Sequence, residues 1–399
     1  MSRRFRLAGV WSAAFVAGGM SAFAAQAQDV PRDDSGPVAD LDWSVGLRGS
    51  YTNDSVTGKR YEAIVAPEIS LTRPNANGTT SLSSGAELSV DQNKTVRVDD
   101  LHASAAADFQ LDQDTLLKGS FDLSVTQGSP FDSNSSLPTN TAIAPREFTG
   151  TATGSAARKL GKFTLTGTLT GERFIEGPTT LTDTSTVDNT DQSFWLGTAT
   201  LRSALDFTPH VSVFVEGSES YQKFDAASPT LLTFLDGRTL TLRGGVSYTQ
   251  EGTLTAEASV GRAWLDYADP SLTDQPAWVY NASVSFTPSE TLTLSSALDT
   301  SLGPSVDTAG DTDVGYTLSG GAKYVVNPWL TLRGSASTDR TVTLGNGDID
   351  WGYSAGAGLD LAESKHVVWS ADYLFSHREP TLPPVTNTHT ITVGVTIKR

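Results

Sequence analysis

Hydrophobic and polar residues alternate one by one along most of the chain between Leu41 and Arg399. In the segment 42–51, for example, every second residue from Trp43 onward is apolar or small, and the residues between are Ser, Gly or Arg. A period of two is typical of β-strands that have one apolar and one polar face. Roughly 18 such segments occur, each about ten to thirteen residues long, which is enough to cross a bilayer when the strand is tilted.

Short and long connections alternate between these segments. Tight turns rich in Gly, Pro, Asn and Asp are predicted at 110–114, 160–162, 208–210, 250–253, 287–290, 326–329 and 362–365. Longer loops are predicted at 128–146, 177–192, 224–237, 267–276, 300–313, 340–348 and 377–387. The two sets indicate a meander of antiparallel strands with tight turns at one end and loops at the other.

The first 27 residues have the features of a secretory signal peptide. Arginines at positions 3, 4 and 6 precede an apolar stretch over 7–23, and Ala25 and Ala27 form a small-x-small cleavage site. We therefore expect a cleaved signal peptide over 1–27, a short periplasmic lead over 28–40, and one strand domain over 41–399. No Cys is present, so disulfides and thiol chemistry play no part.

An exported chain with this strand pattern predicts an all-β fold, a transmembrane antiparallel outer-membrane β-barrel of about 18 strands (16–18). Short turns are expected on the periplasmic side and longer loops outside, because a sheet in lipid must close to pair every backbone group. Aromatic residues near strand ends are expected to form interfacial girdles: Trp43, Tyr51, Tyr61, Phe163, Tyr248, Trp264, Tyr267, Trp278, Phe286, Tyr316, Trp329, Trp351 and Phe375. A water-soluble sandwich or propeller is the alternative, but the polar face is poor in Lys and Glu for a solvated sheet.

Composition narrows the range of partners. The chain has 28 Lys and Arg against 45 Asp and Glu, a formal net charge of −17. This balance argues against nucleic acid. No residue spacing predicts a metal centre or a cofactor site.

If the apolar face points outward, a set of charged residues lines the lumen. The candidates for selectivity are Arg48, Glu62, Glu68, Lys118, Arg202, Arg243, Glu257, Lys323, Arg333 and Asp360, and Glu87, Asp108, Asp122, Glu172, Glu216 and Asp372 share their face. The four arginines could bind an anionic solute or create a transverse field. The alternative, which we favour, is that they pair with Glu62, Glu257 and Asp360 as structural salt bridges.

The long loops are rich in Asp, with clusters at 183, 188 and 191, at 266, 269 and 274, and at Asp307, Asp311 and Asp313. Such oxygen ligands could hold Ca²⁺ or Mg²⁺ and bridge to lipopolysaccharide, although no spacing matches a specific calcium loop and solvated loops are favoured. The longest loop, 128–146, is the candidate to fold inward and constrict a pore.

His102 and Ser104 have the spacing of a catalytic pair, but the alternation points both into the lumen, so we expect no enzyme.

The last two strands carry a family resemblance. The segment 373–379, a Pro-rich loop, and the terminal strand 387–399 resemble the closing hairpin of the putative β-barrel porin 2 family of Gram-negative bacteria. The resemblance implies an outer-membrane barrel of porin-like size, and some barrels of this kind look associated with export of extracellular polysaccharide. The chain departs from many such barrels by ending in Lys398-Arg399 instead of an aromatic residue.

We therefore expect a passive channel for polar solutes or for exported polysaccharide, with selectivity set by lumen charges and an inward loop. A closed structural or surface-display barrel is the second hypothesis, and a membrane-embedded hydrolase is the third. The expected partners are outer-membrane lipid and lipopolysaccharide, the barrel-assembly machinery and a polysaccharide-export apparatus.

Overall fold

The computed structural model describes residues 39–399 except 131–136, 139, 306–311, 346 and 382–383. The predicted signal peptide and the lead up to residue 38 lie outside the described residues. Within these ranges, the chain forms no helix that is long and apolar enough to cross a membrane.

The described residues form 21 strands. The barrel strands are β1 (Asp40–Asp54), β2 (Gly58–Asn75), β3 (Gly78–Asp91), β4 (Val96–Gln110), β5 (Thr115–Gln127), β7 (Arg146–Leu160), β8 (Phe163–Glu176), β11 (Phe194–Asp206), β12 (Val211–Phe224), β13 (Gly237–Gln250), β14 (Leu254–Tyr267), β15 (Gln275–Ser289), β16 (Leu292–Pro304), β17 (Thr312–Asn327), β18 (Leu330–Leu344), β19 (Ile349–Ala362), β20 (Val367–Glu379) and β21 (Thr386–Lys398). Three short strands in the loops are β6 (Thr141–Ile143), β9 (Thr179–Leu181) and β10 (Thr186–Val187), and a 3₁₀ turn spans Thr190–Gln192.

The barrel strands form one 18-stranded antiparallel sheet that closes on itself. The last strand, β21, pairs with β1 from Ser44↔Lys398 to Asp54↔Thr388. The backbone N–H of Arg399 also donates to the carbonyl of Trp43 at 3.0 Å. The predicted barrel and its strand number are confirmed. The strands are longer than predicted and reach 18 residues in β2.

The two faces of the sheet differ as the alternation predicts. In β21, Ile391, Val393 and Ile397 are 47%, 54% and 44% exposed on the outer face, while the threonines between them face inward. Trp43, Trp278 and Trp351 are exposed on the same outer face, as a girdle requires, and their place at a membrane interface stays a prediction. Tyr267 was wrongly assigned to a girdle, because it lies on the inner face and is 8% exposed.

The connections follow the predicted order with one exception. All seven tight turns join consecutive strands at one end of the barrel. At the other end, the first two connections are short, at 55–57 and 92–95. Both are closed by an aspartate: Asp54 Oδ1 accepts the N–H groups of Val56 and Thr57, and Asp91 Oδ1 accepts two further N–H groups of its own turn.

The loop end of the barrel is narrowed by its own strands. Strands β15 and β16 pair only from Ala282↔Leu298 to Ser289↔Leu292, so they separate above that point. The hydroxyls of Tyr267 and Thr312 lie 3.2 Å apart, although β14 and β17 are three strands apart in the sheet. The loop ends of these strands therefore converge over the lumen.

The facing of β21 predicts how the barrel responds to a new charge. Val393→Arg places a cation in the lipid-facing band and should lower the free energy of unfolding in lipid vesicles by about 2–4 kcal/mol. The adjacent Thr392→Arg points into the lumen and should cost clearly less. Urea unfolding followed by gel mobility measures both variants, and equal costs would show that the faces are assigned wrongly.

Candidate functional site: the barrel lumen

The cross-strand register gives the predicted lumen residues one common side of the sheet, opposite the exposed apolar band. On this inner face lie Arg48, Glu62, Glu68, Lys118, Arg202, Arg243, Glu257, Lys323, Arg333 and Asp360. The register fixes their placement only, and their part in solute selection stays a prediction.

Arg202 on β11 is held by two carboxylates of the inner face. Its two terminal nitrogens donate to the two carboxylate oxygens of Glu257 at 2.9 and 2.7 Å. Glu216, only 7% exposed, lies 3.7 Å from the same guanidinium. The guanidinium also stacks 3.6 Å above the Phe214 ring centroid. This planar, bidentate contact fixes the side chain against the wall.

Arg243 on β13 continues the same network. Its Nε donates to Glu216 Oε1 at 2.8 Å and its Nη1 donates to Asn281 Oδ1 at 2.8 Å. Asn281 Nδ2 in turn donates to Asp299 Oδ1 at 3.2 Å. A continuous polar chain therefore crosses the strands from β11 to β16, and Glu216 is its central acceptor.

The other two predicted arginines are paired as well. Arg48 Nη2 donates to Glu87 at 2.5 Å. Arg333 forms a bidentate pair with Asp360, both contacts at 2.9 Å, and reaches Asp372 at 2.9 Å. The structure thus contains the predicted pairs with Glu257 and Asp360, and none of the four predicted arginines is left without a carboxylate.

The prediction for Glu62 was wrong in its partners. Glu62 accepts from Arg97 at 3.1 Å and lies 3.3 Å from Arg60, and Arg97 also pairs with Asp99. Strict alternation along β4 from His102 would place residues 97 and 99 on the outer face. They point inward because a β-bulge shifts the β3–β4 register between Glu87↔Asp100 and Leu88↔Val98.

A sequence signal for this bulge exists. The exposed apolar residues of β4 are Val96 and Val98 at even positions and then Leu101 at an odd position. Such a change of parity within one strand requires one extra residue. For Arg60, nothing in the sequence indicated its contact with Glu62 beyond its position on the polar face of β2.

Two loops reach the inner face at the loop end. Ser129, just after β5, accepts a hydrogen bond from Arg60 Nη1 of β2 at 3.1 Å. The first residues of the predicted loop 128–146 therefore contact an inward-facing side chain of the wall. The second loop, 225–236, buries Leu235 against the inward-facing Phe194 and Phe224. This second contact was not predicted, although the apolar run 231–235 is unusual for a solvated loop.

A second set of inward carboxylates forms no ion pair with any part of the chain that the structure describes: Glu68, Asp108, Asp122, Glu147, Glu172 and Glu176. Four of them lie on the neighbouring strands β5, β7 and β8, and Glu147 stands directly opposite Glu176. The lysines Lys118 and Lys323 likewise have no ion pair among the described residues, and both lie near the tight turns. One sector of the wall is therefore acidic toward its loop end.

His102 and Ser104 face the lumen, as predicted. His102 Nδ1 lies 2.5 Å from Asp100 Oδ2, and the Ser104 and Ser83 hydroxyls lie 2.6 Å apart. Both residues line a cavity of about 260 Å³ together with Asp122. Each group is engaged with a neighbour on the wall, and neither is presented to lipid.

The Asp residues of the long loops mainly support turns. The hydroxyl and backbone N–H of Ser185 hold the pKa of Asp183 below its usual value, and Thr190 does the same for the pKa of Asp188. Thr233 and Ser271 lower the pKa of Asp269. Burial instead raises the pKa of Asp191.

The predicted loop cation site cannot be assembled from the described residues. Asp307 and Asp311 lie outside them, and Asp313 accepts a hydrogen bond from Thr343 at 2.6 Å. Among the described ranges, no group of three or more His, Asp or Glu side chains could hold a metal ion.

The family model described as "Putative beta-barrel porin 2" matches residues 45–399. Among curated proteins, no sequence matches significantly.

Several solved outer-membrane barrels of Pseudomonas aeruginosa overlap loosely with the chain. OccK2 (OpdF) is 12% identical, with 90% of this chain and 98% of that chain covered and a TM-score of 0.45. OccK5 (OpdH) is 10% identical, with 90% and 98% covered and a TM-score of 0.43. A point mutant of the ferric enterobactin receptor PfeA is 8% identical, with 91% and 81% covered and a TM-score of 0.49.

Glu216 is the lumen carboxylate whose loss should cost most. Glu216→Gln removes the negative charge that Arg202 and Arg243 share and should lower the free energy of unfolding by about 1–3 kcal/mol. In the control Asp360→Asn, the 41% exposed Arg333 keeps Asp372 and lumen water, so the loss should stay within about 1 kcal/mol. Urea unfolding in vesicles compares the two, and a larger loss in the control would contradict the central position of Glu216.

Proposed function

The chain belongs to the putative β-barrel porin 2 family, and from this membership and the lumen chemistry we propose that it is a passive outer-membrane channel for polar solutes that prefers cations. Solutes diffuse along a lumen lined by Ser, Thr and charged side chains, as wide barrels permit. The preference for cations goes beyond what family membership implies.

The observation that supports a cation preference is the difference between the two signs of lumen charge. The inward arginines at 48, 202, 243 and 333 are each held by carboxylates, so few positive groups are available to attract an anion. The carboxylates Asp122, Glu147 and Glu172 have no such partner among the described residues. An excess of negative charge in a low-dielectric passage raises the local concentration of cations.

The loop end supports a constriction. The contact between Arg60 and Ser129 and the packing of Leu235 draw two loops toward the lumen. The same packing favours the second candidate, a closed structural barrel whose surface loops do the work. Conductance separates the two.

Polysaccharide export is the finer alternative that the family resemblance suggests. An acidic wall repels an anionic polymer, so such a polymer would be neutral or cationic, and a partner export apparatus would have to deliver it.

We also propose that the signal peptide is cleaved before Gln28 and that the barrel-assembly machinery inserts the chain. Sequencing the N-terminus of the outer-membrane protein tests the cleavage, and a start at Met1 would refute it.

Ion selectivity tests the proposed channel. In planar bilayers under a KCl gradient, the wild-type protein should conduct with a reversal potential that shows cation preference. Asp122→Asn combined with Glu172→Gln should lower the permeability ratio of cation to anion about twofold, because both carboxylates line the acidic sector. The matched control is Asp112→Asn, which removes one charge from a tight turn outside the lumen.

Each outcome of the bilayer experiment has one meaning. Anion preference in the wild-type protein, or equal effects of the double variant and the control, would refute the acidic-sector proposal. Absence of conductance steps from protein that shows heat-modifiable gel mobility would refute the channel and leave the closed barrel.

A further inference from the structure

The outer wall of the barrel has a concavity that the channel does not use. It has a volume of about 660 Å³ and spans β7, β8, β11, β12 and β13. By register, the residues Gly154, Gly167, Ala199 and Gly217 that line it lie on the lipid-facing side, beside Leu169 and Leu201. Small residues beside leucines leave an open and mainly apolar groove, which Glu219 also lines.

Two glycines of this groove, Gly154 and Gly167, are not required by packing. A Cβ atom built on Gly154 or Gly167 meets no atom within 4 Å. Neither residue has a positive backbone φ. The groove is therefore open space on the surface, which a larger side chain could fill without strain.

Basic and aromatic residues lie at the loop end of the groove. Arg173 on β8, Trp195 on β11 and Lys223 on β12 are direct cross-strand neighbours on the outer face. The Arg173 guanidinium lies 5.1 Å from the Trp195 ring centroid and pairs with Asp225. Arg173 follows Leu169 by four residues, roughly 13 Å along the strand.

Lys223 provides the cation that is available to a ligand. It is exposed and forms no ion pair with a described residue, whereas the nearby Arg238 is paired with Glu219 at 2.8 Å. Trp195 beside it is 58% exposed, and exposed tryptophans of membrane proteins are enriched at the level of the headgroups. Charge at the boundary and an apolar groove below it match an amphiphile with an anionic head.

We propose that this groove binds an acyl chain of an outer-leaflet lipid whose phosphorylated headgroup is held by Lys223. The unpaired charge of Lys223 argues for an anionic lipid over a second copy of the chain, since two copies docked on this patch would bring their two unpaired lysines together. The lipid site does not depend on the channel function, because it lies on the opposite side of the wall.

Lipid A, a phosphorylated and multiply acylated lipid, is the probe. Native mass spectrometry of the detergent-purified barrel should show one retained lipid A on the wild-type protein. Gly167→Leu fills the groove and should lower retention at least tenfold. Lys223→Gln should lower it about fivefold through the lost contact with phosphate.

Two matched controls accompany these variants. Gly49→Leu adds the same side chain on the outer face of β1, where a Cβ also meets nothing within 4 Å, and should retain lipid A. Lys59→Gln removes an exposed, outward lysine at the loop end of β2 and should also leave retention unchanged. Gly154→Leu replaces Gly167→Leu if the latter does not fold, as judged by heat-modifiable mobility.

The proposal is overturned if the groove-filling variant retains lipid A as well as the wild type does. It is also overturned if Gly49→Leu loses lipid equally, or if Gly167→Leu abolishes a dimer instead of a lipid adduct.

Discussion

The structure depends on one constraint: lipid offers no hydrogen bonds, so each strand must find both of its neighbours within the protein. The register between β1 and β21 meets this constraint, because it pairs the first and last strands over eleven residues of each. With no free edge, the chain can show an apolar band to lipid on its outside. The terminal pair Lys398 and Arg399 lies at the tight-turn end, where Arg399 bonds to Trp43 and Lys398 to His366.

Closure of the barrel also determines the polarity of the lumen. Most of the larger apolar side chains face lipid, so the wall has little hydrophobic core, and the buried apolar residues of the described ranges include small clusters such as the one around Leu235. Charged groups in the lumen are then stabilised by one another and by water. Glu216 lies between two arginines on one part of the wall, whereas the carboxylates of the acidic sector on β5, β7 and β8 form no ion pair with a described residue.

Much of the fold follows from the sequence because the side-chain period of a strand is two. That period predicts the strands, their faces and the inward position of residues such as Arg202 and Glu257 far apart in sequence. It does not predict which charges meet, since partners depend on how neighbouring strands slide past each other. The bulge at Asp99 illustrates the limit: one extra residue turned Arg97 inward and gave Glu62 a partner that simple alternation assigns to lipid.

The loop end was predicted least well for a related reason. Loops carry no period, so their folding depends on tertiary contacts such as Leu235 with Phe194 and Phe224. The alternation continues through β16 but stops in β15, where residues 276–280 are all apolar, and it does not predict that the two strands separate above Leu298. The groove on the outer wall could not be predicted either, because it requires glycines from several strands to fall side by side.

The chain contains no cysteine, so a single-cysteine scan of β21 can test the barrel directly. Spin labels placed one at a time at positions 388–398 of the protein in lipid vesicles report access to oxygen, which concentrates in lipid, and to a water-soluble nickel chelate. We predict oxygen access at 391, 393, 395 and 397 and nickel access at 390, 392 and 396, alternating with a period of two. Equal nickel access at every position, or folded protein that stays in solution without lipid or detergent, would contradict a membrane-spanning barrel.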